Sequence, residues 1–534
     1  MAAAGRGPSA VLVVLILVLG AAPARAGLTG GARLASVYDL ILDARFDKVD
    51  AALKQACPPA PAEACLALDV VARWWRILLD PDSRAFDAEF ERRATASIAA
   101  SEAWTRREPR RAEAWFYLAG SYAPLVQWRV TRGQRIAAAR DGNRIRDALE
   151  RALALDPTLK DAYFGIGLYH YYADVAPAAA KFLRWLLLLP GGDRVKGLRE
   201  MMEARDRGEI LTGEADYQLH LLYLWYERQP ARALELLGDL DRRYPKNPLF
   251  LERIAEVEDT YLHDLPASEA SWQTLLERAR LGHVNFAELA EVSARLGLAH
   301  ELDARAETDR AIDELKAVVA LQPAAPYGAL ARAELQLGAA YDRLGQRGLA
   351  VAAYQAAVAA APADNPRDIR EEARAGLRQA PDPRAAAVYR QSLEGWRALE
   401  RGAIETSVAD LSRAAAAAPG DPVTRYRYAR ALVAAGDRVR AKRELEALVA
   451  ARPIAPAFVL ASAYVELAQI VEHTGDRARA IACYRIASAI AGGDPDARKE
   501  AARSLKRLTA THAPGGVNFD FSSTLCLTSR SFEP

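Results

Sequence analysis

The sequence lacks the features that mark several classes of protein. It has only 4 cysteines in 534 residues, too few for a fold that is built on disulfides. Its 71 basic and 69 acidic residues nearly cancel, so no positive surplus indicates a nucleic-acid partner or an anionic membrane surface. The alternating pattern of β-strands is nearly absent until the last twenty residues. The composition, 51% apolar and 26% charged, is that of a globular protein, and helical spacing dominates it.

Motifs for catalysis and cofactor binding are also missing. The 7 histidines form neither an H-E-x-x-H zinc motif nor a haem-attachment site, and there is no G-x-S-x-G turn. Pro190-Gly191-Gly192-Asp193 precedes a predicted helix, and its amides could hold an anion. A glycine turn with Asp193 as the helix cap is the favoured interpretation. We therefore expect no metal, no cofactor and no enzymatic activity.

The first 26 residues have the pattern of an export signal. Arg6 precedes an unbroken apolar run from Val11 to Leu19, and Ala24-Arg25-Ala26 forms a cleavage site before Gly27. The apolar core, about 13 residues, is shorter than the roughly 20 that a membrane helix needs, which favours cleavage over an uncleaved anchor. No later stretch reaches spanning length. We expect a mature chain without a transmembrane segment, located in the periplasm, with secretion as the alternative.

A unit of two helices recurs along the chain. In the clearest example, helices are predicted over 331–344 and 348–360, with a turn at Gly345 and a stop at Pro362. Small residues let two such helices approach closely, and large residues fill the seam between them. The small positions are Gly338, Ala350 and Ala357, and the large ones are Leu337, Tyr341 and Tyr354. Further units end near Pro157, Pro245, Pro323, Pro419, Pro453 and Gly492.

This pattern resembles the tetratricopeptide repeat, over about eight units within 110–362 and 387–495. The leader makes the chain similar to exported bacterial members of that family. The resemblance implies an all-α helical-repeat superhelix, elongated and curved, whose concave face binds proteins, peptides or sometimes small ligands. The domains expected from it are an N-terminal helical cap (27–110), a first array (111–362), an extra helix and hinge (363–383), a second array (384–510) and a disordered tail (511–534).

The four cysteines are expected to behave differently from one another. Cys57 and Cys65 flank a proline-rich loop, and in an oxidising compartment a disulfide between them is expected, with two unpaired thiols as the alternative. Cys483 lies in mid-helix and is interpreted as a small buried hydrophobe. Cys526 lies in the tail and receives no role. Two of the four thiols should therefore be free.

Aromatic residues concentrate in the N-terminal half of the chain, where eight of the nine tryptophans lie between Trp74 and Trp272. In the family that the chain resembles, the first helix of each pair lines the groove. Exposed aromatic rings there would suit a peptide, a glycan or a partner helix, although the same rings could instead pack the cap or the superhelix. The groove positions map onto Phe116, Tyr117, Phe164, Leu168, Tyr171, Tyr172, Leu222, Trp225 and Tyr226.

The same positions in the second half of the chain are polar. Arg343, Arg427 and Arg430 could clamp a carboxylate, or belong to a solvated face. We expect a protein or peptide partner in the groove. The alternative is a site for a small ligand or glycan, or an enzyme, in the aromatic half, with His170 and His220 as titratable groups. The further groove positions are Tyr426, Val465, Glu466, Gln469 and Glu472.

Overall fold

The computed structural model of the protein describes residues 27–175, 192–451 and 455–510, together with Cys526. Within these ranges the chain forms 24 α-helices and one short 3-10 turn, Pro366–Asp368, and no strand. The predicted all-α helical-repeat solenoid is confirmed. The export signal, and the tail apart from Cys526, lie outside the described residues. None of the described helices is both long enough and apolar enough to cross a membrane.

The helices fall into three groups along the chain. The N-terminal group is α1 (Gly31–Leu42), α2 (Phe46–Ala56), α3 (Ala62–Leu78) and α4 (Asp87–Arg107). The first array is α5 (Ala112–Thr131), α6 (Arg135–Leu155), α7 (Ala162–Val175), α8 (Arg194–Arg207), α9 (Thr212–Trp225), α10 (Pro230–Arg243), α11 (Pro248–Thr260), α12 (Leu265–Arg280), α13 (Ala287–Ala304), α14 (Thr308–Leu321), α15 (Ala329–Arg343) and α16 (Arg347–Ala360). After α17 (Ile369–Arg378), the second array is α18 (Pro383–Glu400), α19 (Ile404–Ala417), α20 (Pro422–Ala434), α21 (Arg438–Ala450), α22 (Ala457–His473), α23 (Arg477–Ala489) and α24 (Pro495–Ala510).

Short turns of defined chemistry join the two helices of a pair. Gly436 and Gly475 adopt left-handed backbone angles, with φ of 81° and 87°, which glycine adopts without a steric penalty. The next residue in each turn, Asp437 or Asp476, caps the following helix by accepting a hydrogen bond from a backbone amide. Asp193 caps α8 in the same way, accepting from the amide of Lys196 at 2.8 Å, so the capping interpretation is confirmed.

The two helices of a pair meet at the predicted small residues. A Cβ atom added to Gly338 of α15 would overlap the ring of Tyr354 on α16, so only glycine allows this approach. Gly376 of α17 touches the same ring from the other side. The extra helix expected within 363–383 is therefore α17, and it packs on the last pair of the first array.

The first helices of successive pairs pack side by side and form one layer of the solenoid. This layer runs through α11, α13 and α15 and continues through α18, α20, α22 and α24. Each first helix also packs against the second helix of its own pair, which places the second helices in the other layer. The layer of first helices is called the inner face below.

Some contacts join parts of the chain that are far apart in sequence. The guanidinium of Arg367 lies 3.1 Å from the carboxylate of Asp82 in the N-terminal group. Arg427 of α20 donates to the backbone oxygen of Ala306 at 2.7 Å, and Gly492 lies against the backbone of His263. In a stacked repeat array each unit ordinarily contacts only its neighbours, but at these places the stack folds back on itself and distant units meet.

All four cysteines are paired in the structure. Cys57 and Cys65 form the disulfide expected from the sequence. The interpretation of Cys483 as an unpaired hydrophobe is wrong, because it is bonded to Cys526. Arg479 of α23 donates to the backbone oxygen of Cys526 at 2.7 Å, and Cys526 is fully buried. The C-terminal segment therefore returns to the second array at this point, which the sequence pattern did not reveal.

Replacing Gly338 by leucine should destabilise the fold. The new side chain would enter a seam that the ring of Tyr354 already fills, and overpacking of this kind costs about 1–3 kcal/mol. Gly348, in the neighbouring helix α16, has no atom within 4 Å of an added Cβ and provides the matched control. We expect the midpoint of denaturant unfolding to fall for Gly338→Leu and to change little for Gly348→Leu. Equal midpoints would contradict the assigned seam.

Thiol counting tests both disulfides. The unreduced, unfolded protein should show no free thiol, since both pairs are bonded. Loop-closure entropy gives a stabilisation of about 2–3 kcal/mol for the loop of separation 8 and about 4 kcal/mol for that of separation 43. Reduction should therefore lower the unfolding midpoint. Two free thiols would contradict the bond between Cys483 and Cys526.

Candidate functional site

The N-terminal helices cover the inner face of the first array. Trp75 of α3 packs against Tyr217 of α9 and Phe250 of α11, with ring centroids 4.8 and 6.0 Å away. Phe46 of α2 contacts Phe286, which precedes α13, at 5.7 Å. Helices α2 and α3 therefore reach the first helices of three successive pairs.

A buried carboxylate fixes the position of these N-terminal helices. Glu214 of α9 accepts hydrogen bonds from the indole nitrogen of Trp75 and from the hydroxyl of Tyr38, both at 3.0 Å. The side-chain amide of Gln218 donates to the other carboxylate oxygen, also at 3.0 Å. Burial raises the pKa of Glu214, while these three donors lower it. A carboxylate whose oxygens are all satisfied sets the orientation of α1 and α3 on α9.

Most of the predicted groove positions in the first array are not available to a partner. Tyr117 stacks on Trp104 of α4 at 6.2 Å, because the N-terminal group lies over α5. Tyr171 lies against Gly197 of α8, in the seam of its own pair. The predicted exposure is wrong for these residues, since a repeat position specifies a helix face but not what covers it. The buried positions are Phe116, Tyr117, Phe164, Tyr171 and Leu222, and Leu168 is half-buried.

Three of the predicted aromatic groove residues are exposed. Trp225, the last residue of α9, is 56% exposed. Tyr226, which follows it, and Tyr172, near the C-terminal end of α7, are exposed as well. The rings of Tyr172 and Tyr226 meet edge to face, with centroids 5.7 Å apart. Trp225 borders a shallow cleft with Tyr261. These rings form a small surface patch rather than the wall of a groove.

The two histidines that a ligand or enzyme site would use, His170 and His220, are instead engaged in contacts within the fold. His220 is buried beside Tyr217, with ring centroids 4.7 Å apart, and burial lowers its pKa to about 3. It is therefore neutral at physiological pH and fills space as an apolar ring. His170 pairs with Glu200, with Nδ1 and Oε2 separated by 2.6 Å. These environments and the covered inner face give no support to a ligand site in the aromatic half.

An open cavity lies on the inner face of the second array. Its volume is about 380 Å³, within the usual range for ligand and peptide pockets. Helices α18, α20, α22 and α24 contribute to it, and the turn after α13 forms one border. Six residues that the sequence assigned to the groove meet here: Tyr426, Arg427, Arg430, Val465, Glu466 and Gln469.

The predicted arginine clamp is already engaged within the chain. Arg430 pairs with Glu466 across α20 and α22, and Arg343 pairs with Asp303 at 2.9 Å, away from the cavity. Arg427 is buried and donates to Ser392 and to the backbone oxygen of Ala306. The three arginines therefore do not meet in one site, and a partner's carboxylate would have to compete with bonds that exist.

The cavity combines aromatic rings with an excess of negative charge. The guanidinium of Arg427 lies over Trp396 at 5.7 Å, and that of Arg305 lies over Phe458 at 5.5 Å. Five carboxylates line the cavity against three guanidinium groups. The excess of carboxylates in the lining favours a cationic side chain through ion pairing, whereas one face of each of these two rings is already covered by an arginine of the chain. The lining carboxylates are Glu307, Glu466, Asp494, Asp496 and Glu500.

Comparisons with known proteins agree with the repeat assignment. Residues 331–364 and 398–458 each match a family model described as tetratricopeptide repeat. These two segments therefore carry tetratricopeptide repeats, and the second match covers α19, α20 and α21, of which α20 lines the cavity. A comparison with curated proteins gives no match.

Solved structures of repeat proteins give distant matches. One is a tetratricopeptide repeat protein from Parabacteroides merdae ATCC 43184, 18% identical, covering 56% of this chain and 99% of that one, with a TM-score of 0.26. Another is yeast Tom70, 12% identical, covering 81% of this chain and 95% of that one, with a TM-score of 0.26. The fold described above rests on the chain's own helices and on the two matched repeats.

Two tryptophan substitutions separate the covered face from the exposed patch. Trp75→Ala should lower the unfolding free energy by about 3–5 kcal/mol, because it removes a fully buried ring that packs on two helices. Trp225→Ala should change it by less than about 1 kcal/mol, because more than half of that side chain is in solvent. Denaturant unfolding measures both. A comparable loss from the two variants would mean that Trp225 also packs the fold.

Proposed function

We propose that the protein is an exported scaffold that holds a protein partner by an extended segment of that partner. The segment would lie on the inner face of the second array. The observation that carries the proposal is the cavity of about 380 Å³ that the first helices of successive pairs leave open there. Tetratricopeptide repeats are typical of protein-interaction scaffolds, and the matched segment 398–458 contributes α20 to this face.

The contrast between the two arrays supports this location. The inner face of the first array is covered by α1 to α3, so a partner would have to displace a contact anchored by Glu214. The inner face of the second array has no comparable cover among the described residues. Its rings and carboxylates border an opening large enough for several side chains of an extended peptide.

Charge complementarity suggests the chemistry of the bound segment. The five lining carboxylates outnumber the three lining guanidinium groups, but both sets are paired within the chain. Glu307, Glu466 and Asp494 pair with arginines, whereas Asp496 and Glu500 pair with the exposed side chains of Lys499 and Arg503 on the same helix. Exposed pairs of this kind contribute little to stability, so a lysine or arginine of the partner would replace Lys499 or Arg503 beside Asp496 and Glu500. We therefore propose a segment that is basic and contains apolar side chains, rather than an acidic one.

Two features support export to the cell envelope. The leader pattern in residues 1–26 has the polar start, apolar core and cleavage site of a signal peptide. The two disulfides fit an oxidising compartment, because reducing compartments keep structural thiols unpaired. We propose the periplasm as the place where the scaffold meets its partner.

Selection from a displayed library of random peptides would test the groove. Binders of the mature chain should be enriched in lysine and arginine. Gln469→Arg places a positive charge at an exposed position of the cavity wall and should weaken such binders by about tenfold or more. The affinities would be measured by titration calorimetry with the selected peptides.

The matched control is Gln355→Arg, the same change at an exposed position of α16 that does not line the cavity. It should leave affinity unchanged, and both variants should keep the wild-type unfolding midpoint. Binders enriched in acidic residues, or binders unaffected by Gln469→Arg but lost with Trp225→Ala, would contradict the proposed site. The second result would move binding to the exposed aromatic patch of Tyr172, Trp225 and Tyr226.

A further inference from the structure

Three side chains that can bind metal meet on the first helices of two successive pairs. Asp259 lies in the last turn of α11, and His300 and Glu301 are consecutive in α13. One donor atom from each residue lies within 4.8 Å of the others. The Nε2 atom of His300 is 3.6 Å from an oxygen of Asp259. This group is outside the cavity of the proposed binding site.

Glu301 carries an acceptor that the chain leaves unsatisfied. Its side chain is almost fully buried, with 1% of the residue exposed. One carboxylate oxygen accepts from the hydroxyl of Ser268 at 2.8 Å, while Oε2 has no hydrogen-bond partner among the described residues. A buried carboxylate oxygen without a donor is costly, so a group from outside the chain is needed to stabilise it.

The local charges leave a surplus of two negative groups. Arg305, one turn after Glu301, pairs with Glu269 of α12, so these two charges offset each other. Asp259 and Glu301 remain, next to an imidazole.

We propose that Asp259, His300 and Glu301 bind a single Zn²⁺ ion. Nitrogen and carboxylate oxygen are both common zinc ligands, and a divalent ion would balance the two carboxylates. In a tetrahedral site, ligand atoms about 2.1 Å from the metal lie about 3.4 Å apart, close to the separation between His300 and Asp259. The side chain of His300 is 61% exposed, so the remaining coordination position faces solvent.

The site would link two consecutive repeats. Asp259 comes from α11 and the other two ligands from α13, so the bound ion would fasten neighbouring first helices of the inner layer. Ser268, on α12 between them, orients Glu301 through its hydroxyl. Zinc binding should therefore also stabilise the fold, since the ion binds the folded state only.

Titration of the mature chain with Zn²⁺ alone tests the site. The protein would be prepared without a polyhistidine tag and stripped of metal by a chelator. We expect one ion per chain, with a dissociation constant of about 1 µM or below. Co²⁺ in its place should give the visible absorption of a tetrahedral centre, and Zn²⁺ should raise the unfolding temperature.

His300→Ala should weaken zinc binding by about tenfold or more and remove the thermal shift, and the exposed position of this side chain lets the variant fold. Glu301→Gln keeps an acceptor for Ser268 while removing the charge, and should weaken binding similarly. His283→Ala, at an exposed histidine outside the group, should change nothing. Undetectable binding to the wild-type chain, or an affinity unchanged in His300→Ala, would overturn the proposal.

Discussion

Trp75 lies against the rings of Tyr217 and Phe250 while its indole nitrogen donates to the buried carboxylate of Glu214. This contact combines apolar burial, which favours covering the inner face, with hydrogen bonds that permit one orientation. Tyr38 donates to the same carboxylate, so α1 and α3 are positioned together. With these helices in place, Thr29 donates a hydrogen bond to Glu113, and Asp82 accepts one from Arg367.

A solenoid must cover the apolar faces that stacking leaves open. This chain covers its first array from the inside, with helices that run along several repeats instead of closing one end. The aromatic richness of that half thus has a structural role. The two arrays are consequently unequal, because the second presents a polar inner face with charged side chains, which can remain in contact with water. The inner face of the second array is therefore the better place for partner binding, because it is stable in water when no partner is bound.

The sequence predicted the helix pairs well and the contacts between distant parts poorly. Seam residues such as Gly338 and Tyr354 act within one repeat, so their spacing shows what they do. The wall of the cavity in the second array was also predictable, since Arg427 and Glu466 occupy equivalent positions of successive repeats. The covering of Phe116 and Tyr171, and the pairing of Cys483 with Cys526, had no local signal. Each depends on a partner that only the complete fold supplies.

The group formed by Asp259, His300 and Glu301 also had no local signal in the sequence, because the complete fold brings its members together. Its members lie on two helices and form no motif, because the inner layer brings together residues that are 41 and 42 positions apart. Arg305 lies between this group and the cavity of the second array. It pairs with Glu269 next to Glu301, and its guanidinium also lies over Phe458 on the cavity wall. The fold-back of the stack at the turn after α13 therefore builds one border of the cavity directly beside the proposed metal ligands. A change in the charge of Glu301 would act on Arg305, and through it on the face that we propose binds the partner.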